Sequence, residues 1–522
     1  MFLWAVLAIS LLLFVRHLPL YSDELTYKWY SGRYFLDDGA SISLFPHCGG
    51  NFSHPTPSAF LVERLFDAQL YGELSDPMRV RYLGCIFFCL WLVMFWLLCM
   101  RLFPKDTKKL FVVSSCLLFL GPLPFLMIMN RPEQTILICF TTALILPFSK
   151  VSGLFGRFFI FGSFFLLTAY FVPQHPKTLF LLPALFASCW FLPLNKFARL
   201  GLSAYLSFMG LNSYSFFTRL FTCKENPALH QMLSGSMFSP SILLESPLAG
   251  IRKLASNAWG ARLYFKTLFF SETVQSDWLP QISPPFSLWF FNLLILSIYL
   301  IFLFFVIRFH LKNAALNHVK NSWNYQRVMF WTILVSICCL SLFQNIKQFY
   351  ETSLLLPLII LLVLFSLSGG EYRLAFPRSF ERTALAFVFL NFLFLLYFYV
   401  SPLRKEWLKG GLVKNQSHSL SAFNWSILRE QVERLATACK LENTASNKHL
   451  ILDDSTYPVF SKTKQPFHVL FVTGYWGVGI ENIDVFLKQK ESDGLITQCR
   501  YLPDTLASKA TRLGDFCCLA KF

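Results

Sequence analysis

Charge is scarce in this chain, and acid is scarcer than base. Asp, Glu, Lys and Arg make up 14% of its 522 residues, where soluble domains carry about 25%. The 29 acidic residues face 46 basic ones, a net charge of +17. So little charge excludes a soluble globular class. Other absences narrow the reading further. No alternating apolar–polar pattern of a membrane barrel runs along the chain, and no internal repeat is visible. No CxxC pair exists, which argues against a zinc site. The glycines of GYWGVG (474–479) lack the GxGxxG spacing of a nucleotide loop. Residues 1–15 are apolar, yet no basic stretch precedes them and no small-x-small cleavage site closes them. They are therefore expected to form a first membrane helix, roughly Leu3 to Leu20, and not a cleaved leader.

What the chain does have is apolar length. Hydrophobic residues make up 55% of it, with 60 phenylalanines. Apolar runs recur at 1–20, 83–100, 110–129, 134–149, 158–173, 178–194, 200–217, 286–307, 328–343, 354–369 and 383–400. About 17 to 25 residues suffice to span a bilayer. The predicted fold class is a polytopic α-helical membrane protein of about eleven transmembrane helices, followed by a C-terminal α/β extracytoplasmic domain. Residues 1–400 form the membrane part and 401–522 the tail.

The charge between the runs orients them. With the N-terminus inside, the inner loops hold fifteen Lys and Arg, and the short outer loops only Arg131, Lys177 and Lys347. That is the positive-inside pattern. It explains the net charge without nucleic acid, and no nucleic-acid partner is expected. Three long segments face outward: 21–82, 218–285 and the tail. Apolar residues at helical spacing over 59–70 and 251–263 predict two helices lying in the interface. In the tail, 418–438 reads as an amphipathic helix, and HLIL (449–452), FHVLFVT (467–473) and GLITQC (494–499) read as strands. Asp453-Asp454 closes the first of these strands and reads as a capped turn. Cys48, Cys223, Cys439, Cys499, Cys517 and Cys518 all fall in outward segments, an even number that permits up to three disulfides.

The ionisable residues of the outward face carry the chemistry. Asp23 and Glu24 follow the first helix directly, where partial desolvation raises a carboxylate toward the range of a general base. Arg131 lies in NRPEQ (130–134), His175 and Lys177 in PQHPKTLFLLP (173–183), and Lys347 with Tyr350 in NIKQFYETSLLLP (345–357). Read singly, each cation is a headgroup contact. Read together, they converge on one phosphate.

An acidic pair just after the first membrane helix, in a large outer loop with interfacial helices, resembles the GT-C superfamily of glycosyltransferases. SHPTPSAFLVERL (53–65) is similar to that superfamily's His-Pro-Pro loop segment, with Thr56 set between Pro55 and Pro57. HPKTLFLLP and KQFYETSLLLP resemble helix starts of its bacterial members, of the protein mannosyltransferase and aminoarabinose transferase kind. The resemblance covers roughly 1–400 and rests on order and topology more than on identity. It implies an inverting transfer of sugar from a polyprenyl-phosphate-linked donor to a hydroxyl of a lipid, glycan or protein acceptor, among membrane lipids. It implies Asp23 as base, Glu24 orienting the acceptor, and Arg131, His175, Lys177 or Lys347 stabilising the leaving phosphate. His54, Tyr350 and Asp277 are expected at the cavity. A divalent cation, magnesium or manganese, held by Asp23, Glu24 and His54, is left open, with no other cofactor expected. The setting implied is a bacterial inner membrane, N-terminus cytoplasmic and tail periplasmic. The competing readings are a polymerase or ligase of lipid-linked glycans, and a flippase or transporter of a lipid-linked saccharide.

Overall fold

The computed structural model describes residues 79–151, 153–222, 235–239, 241–268, 324–368, 425–441, 449–460, 464–469 and 492–520, with isolated positions elsewhere that include Leu20, Tyr21 and Glu24. A short antiparallel pair, β1 (Ser43–Phe45) and β2 (Gly50–Asn51), precedes the helices. The helices are α1 (Arg79–Leu102), α2 (Thr107–Ser115), α3 (Leu123–Met127), α4 (Pro132–Ile145), α5 (Leu154–Phe171), α6 (Leu182–Trp190) and α7 (Lys196–Thr222). After these come α8 (Ser241–Glu245), α9 (Pro247–Gly260), α10 (Arg262–Thr267), α11 (Tyr325–Phe343) and α12 (Thr352–Ser368).

Among the described residues, four helices are long and apolar enough to cross a membrane: Val80–Leu102, Leu154–Gln174, Tyr325–Phe343 and Phe349–Ser368. These correspond to four of the eleven expected runs. Others are corrected by local chemistry. The 110–129 run breaks at Gly121, which takes φ +50° ahead of Pro122. A positive φ suits glycine, and proline supplies no backbone donor. A Cβ at Gly121 would also run into the Leu268 carbonyl. The 178–194 run opens as a 3-10 turn (Pro176–Leu181) and leaves only nine α-helical residues, Leu182–Trp190. Nine residues rise about 14 Å, half of what a bilayer core requires. Helix α4 is apolar but shorter than a span. Helix α7 has the length, at 27 residues, but it is not among the four apolar spans. The runs 1–20, 286–307 and 383–400, and the helix expected over 59–70, lie outside the described residues save for isolated positions.

Helices α1 and α4 run parallel. Trp91 Nε1 donates to Thr141 Oγ1 at 3.1 Å and Gln134 Nε2 to the Gly84 carbonyl at 2.9 Å. Gly84 lets the segment leading into α4 come close to α1, because a Cβ there would strike the Ile128 carbonyl. Small residues at such crossings let backbones approach. Helix α11 packs on α6, α9 and α12, and α12 also meets α4. One apolar cluster, with Trp91, Phe95, Phe140, Leu185, Ile333 and Leu361 at its centre, holds these helices together. The arrangement brings the starts of α1, α4 and α12 and the ends of α5 and α11 to one end of the bundle.

The tail forms helix α13 (Trp425–Ala438) and a five-stranded sheet of order β4-β3-β5-β7-β6, from β3 (His449–Leu452), β4 (Lys464–His468), β5 (Gly494–Gln498), β6 (Thr511–Leu513) and β7 (Phe516–Ala520). Strand β3 is parallel to β4 and β5, while β7 is antiparallel to β5 and β6. Adjacent Cys517 and Cys518 on β7 point to opposite faces. Each therefore finds its own partner: Cys517 bonds Cys499, and Cys518 bonds Cys439 at the end of α13. The other two cysteines expected to face outward, Cys48 and Cys223, lie outside the described residues. Asp453 is a capped turn, as its sequence suggests. Its Oδ1 accepts the Ser455 and Thr456 N–H groups at 2.8 and 2.9 Å, and its Oδ2 accepts the Gln498 N–H at 2.6 Å. Leu20 and Val80 belong to the same buried apolar cluster as Trp425, Leu428 and Phe516. The tail thus sits at the end of the bundle where α1 begins.

Candidate functional site

The NRPEQ segment builds the first wall. Arg131 is the N-cap of α4 with extended backbone (φ −131°, ψ 163°), and Pro132 follows at the first helical position. Proline there needs no donor and presets the helical φ. Glu133 falls in the first turn, where a carboxylate is favoured by the helix dipole. Arg131 Nε and Glu133 Oε2 meet at 3.2 Å, both buried.

The PQHPKT segment builds the second wall. Two 3-10 turns, Val172–Gln174 and Pro176–Leu181, flank an extended His175. Its Nδ1 accepts the Lys177 N–H at 3.2 Å. An accepting Nδ1 leaves the proton on Nε2 in the neutral ring. Thr178 Oγ1 donates to the Val172 carbonyl at 2.6 Å and closes the turn. Lys177 is thereby turned inward. Its Nζ lies 2.7 Å from Glu133 Oε1 and 2.9 Å from Glu351 Oε1.

The third wall is the 3-10 turn Phe349–Glu351 that leads into α12. Glu351 Oε2 accepts the Gln348 N–H at 3.1 Å and the Tyr264 hydroxyl at 2.7 Å, and its Oε1 accepts Gln344 Nε2. Tyr350 lies under the Arg131 guanidinium, 3.5 Å from carbon to ring centroid, with Lys177 Nζ 5.5 Å from the same ring. Two cations, Arg131 and Lys177, thus balance two carboxylates, Glu133 and Glu351, in a buried network drawn from three distant segments.

Glu24 stands beside it. Its Oε2 accepts from Arg81 Nη2 at 2.6 Å and from the Tyr21 N–H at 2.9 Å, and its Oε1 accepts the Asn130 N–H at 2.9 Å. Asn130 precedes Arg131, and Tyr21 lies 5.8 Å from Tyr350 ring to ring. Both Glu24 oxygens accept hydrogen bonds, one of them from the Arg81 guanidinium. As placed, Glu24 pins the N-terminal segment to α1 and α4. These contacts give Glu24 a positioning part in the structure, beside the acceptor-orienting part expected from sequence.

Burial sets the protonation states. It pushes the Glu24 carboxyl up, against the pull of Arg81 and two backbone N–H groups. Burial, with Lys177 and Arg131 adding to it, pushes His175 down to about 3, so the ring is neutral. Burial alone would lower Lys177, but Glu133 and Glu351 hold it above the ordinary lysine range. Lys347 is pushed down to about 8 by burial, with Glu351 opposing.

Of the residues expected from sequence, Glu24, Arg131, His175, Lys177 and Tyr350 come together. Lys347 is near but turned away. Its Nζ donates to the Ser341 carbonyl at 2.7 Å and to the Gln344 carbonyl, which caps the end of α11. Asp23, His54 and Asp277 lie outside the described residues. Sequence reasoning missed Glu133, Glu351, Arg81 and Tyr264. The available signal was the acid two places after Arg131 and the acid four places after Lys347, each opening an apolar helix. A carboxylate entering a buried apolar setting calls for a cation partner. A cavity of about 10 Å³ between Lys177, Tyr264, Gln344 and Glu351 has room for roughly one water. Among the described residues no group of three or more His, Cys, Asp and Glu stands ready for a metal. No protein-family model, curated protein or solved structure matches this chain.

Proposed function

We propose that the chain is a membrane glycosyltransferase of the GT-C kind, moving a sugar from a polyprenyl-phosphate-linked donor to an acceptor hydroxyl at the non-cytoplasmic surface. One observation carries the reading. Arg131, His175, Lys177 and Tyr350, from three stretches of chain, converge at one end of the bundle beside the segment that holds the acidic pair.

In the reaction the acceptor oxygen attacks the anomeric carbon, and the bond from that carbon to the phosphate oxygen breaks. The Asp23 carboxylate takes the hydroxyl proton. Charge builds on the departing phosphate, and Arg131 and Lys177 meet it. The neutral His175 ring offers its Nε2–H. Preset donors of this kind act strongly where water is excluded. Glu133 and Glu351 hold Lys177 before the donor arrives, so the phosphate competes with two carboxylates for one ammonium. Tyr350 keeps the Arg131 guanidinium flat during the exchange.

The test is transfer from a polyprenyl-phosphate sugar in membranes holding the wild type, Asp23→Asn, Arg131→Ala or Tyr350→Ala. Asp23→Asn is expected to slow transfer about a hundred- to ten-thousand-fold, the usual loss with a general base. Arg131→Ala is expected to raise the donor KM and lower kcat. Wild-type rates in both Asp23→Asn and Arg131→Ala would sink the proposal. Elongation of the acceptor by repeated transfer would identify a polymerase, and movement of the donor across the bilayer without transfer would identify a transporter.

A further inference from the structure

At the other end of the bundle lies an open groove of about 430 Å³, lined by Ala187, Trp190, Phe191, Arg199 and Val328. Val328 stands near the start of α11, and the charge network stands beyond its end at Phe343, about 22 Å away at 1.5 Å per residue. The groove is thus separate from the site described above, and nothing in the proposed transfer uses it.

Its chemistry is one-sided. No Asp or Glu occurs between Glu133 and Glu225, and none between Asp277 and Glu351. The segments that form the groove carry Lys196, Arg199 and Arg327 with no acid to offset them. Arg199 Nη1 donates to the Trp190 carbonyl at 2.6 Å, and its guanidinium lies 5.5 Å from the Trp190 ring. Its Nε is buried and has no hydrogen-bond partner. A buried N–H of a charged group without an acceptor is costly. Around it the surface is apolar: Phe197 is 83% exposed, Trp190 47% and Leu200 45%. A half-exposed tryptophan beside an arginine is the usual marker of headgroup depth, and basic pockets between membrane helices take anionic headgroups.

We propose that this groove binds an anionic glycerophospholipid. The phosphate sits on Arg199, with Lys196 and Arg327 adding charge, and one acyl chain lies along Ala187, Phe191 and Val328. The site needs only that the apolar helices sit in a bilayer and is independent of transferase activity.

The test uses the full chain purified in detergent, with phosphatidylglycerol and phosphatidylcholine as probes. Retention is read by native mass spectrometry, and the shift in Tm is read on adding each lipid. Wild type is expected to retain phosphatidylglycerol and gain Tm from it, and to show neither with phosphatidylcholine. Arg199→Ala is expected to lose about fivefold in phosphatidylglycerol retention, the contribution of one cation at a membrane surface. Val328→Trp keeps every charge and fills the groove, so it decides the matter if Arg199→Ala does not fold. By filling the groove it is expected to abolish retention. Undiminished phosphatidylglycerol retention in either variant overturns the proposal and leaves Arg199 as a cap on α6. Full displacement of the lipid by inorganic phosphate overturns the acyl-chain part, because a free anion would then satisfy the site.

Discussion

Lys177 and Glu133, 44 residues apart in sequence, meet at 2.7 Å with both side chains buried. Glu351 closes on the same ammonium at 2.9 Å. One lysine therefore ties the start of α4 to the turn before α12. A buried charge left without its partner costs far more than the intact pair contributes. The network is for that reason an all-or-none joint between helices as well as a reservoir of cations.

Lys177→Met tests the joint. It takes the ammonium from Glu351 and leaves Glu133 with Arg131 alone, and the expected loss is about 3–5 kcal/mol of stability. Lys177→Met with Glu133→Gln removes one of these two buried carboxylates and is expected to recover part of that loss. Unfolding in detergent, followed by Tm across the two single variants and the pair, gives the coupling. Additive losses would show that Lys177 and Glu133 do not act together.

His175 gives the joint a pH dependence. Its folded pKa, near 3, lies below the unfolded value of about 6.5. Between those values the unfolded chain binds more protons, so stability rises with pH across the window and falls as acid is added. His175→Asn keeps an acceptor for the Lys177 N–H and does not titrate. It is expected to flatten the stability profile from about pH 6.5 downward. A profile unchanged from wild type would mean that His175 titrates alike in the folded and unfolded chain.

Lys347 is expected to behave as a cap and not as a donor-binding cation. Lys347→Met should cost about 1 kcal/mol, the usual contribution of a cation at a helix C-terminus, and leave the donor KM unchanged. Its folded pKa near 8 lies below the ordinary lysine value of about 10.4. The wild type should therefore gain stability between these values as pH rises, and Lys347→Met should not. A raised donor KM in Lys347→Met would return Lys347 to the phosphate.

How much of this was legible depends on what each signal measures. Arg131, His175 and Lys177 stood out because the short loops read as outward hold so few cations, and charge asymmetry is a property of sequence alone. Glu133 and Glu351 did not stand out, because an acid at a helix start reads as ordinary capping. Only the fold shows that both reach Lys177. Helix existence was clear at α1, α5, α11 and α12, where apolar length and chain continuity agree. It failed at 110–129 and 178–194, where hydropathy counts residues but not the breaks at Gly121, Pro122 and Pro176. In the tail, β3 and β5 were visible as short apolar runs, HLIL and GLITQ. Strand β7, FCCLA, was not, because its two cysteines read as chemistry and not as a strand.

Those two cysteines support a final prediction. Cys518 closes a span of 79 residues to Cys439, and Cys517 one of 18 to Cys499. In the chain-entropy picture the longer closure contributes about 4.5 kcal/mol and the shorter about 3 kcal/mol. The longer one also ties α13 to the sheet across the cluster that includes Leu20 and Val80. Replacing Cys439 and Cys518 together by Ala in the full chain should speed proteolysis within 425–520 more than replacing Cys499 and Cys517. Because that cluster borders the Glu24–Arg81 pair, the first replacement should also lower transfer in membranes, and the second should leave it near wild type. Equal proteolysis in the two variants would show that α13 is held to the sheet by packing alone.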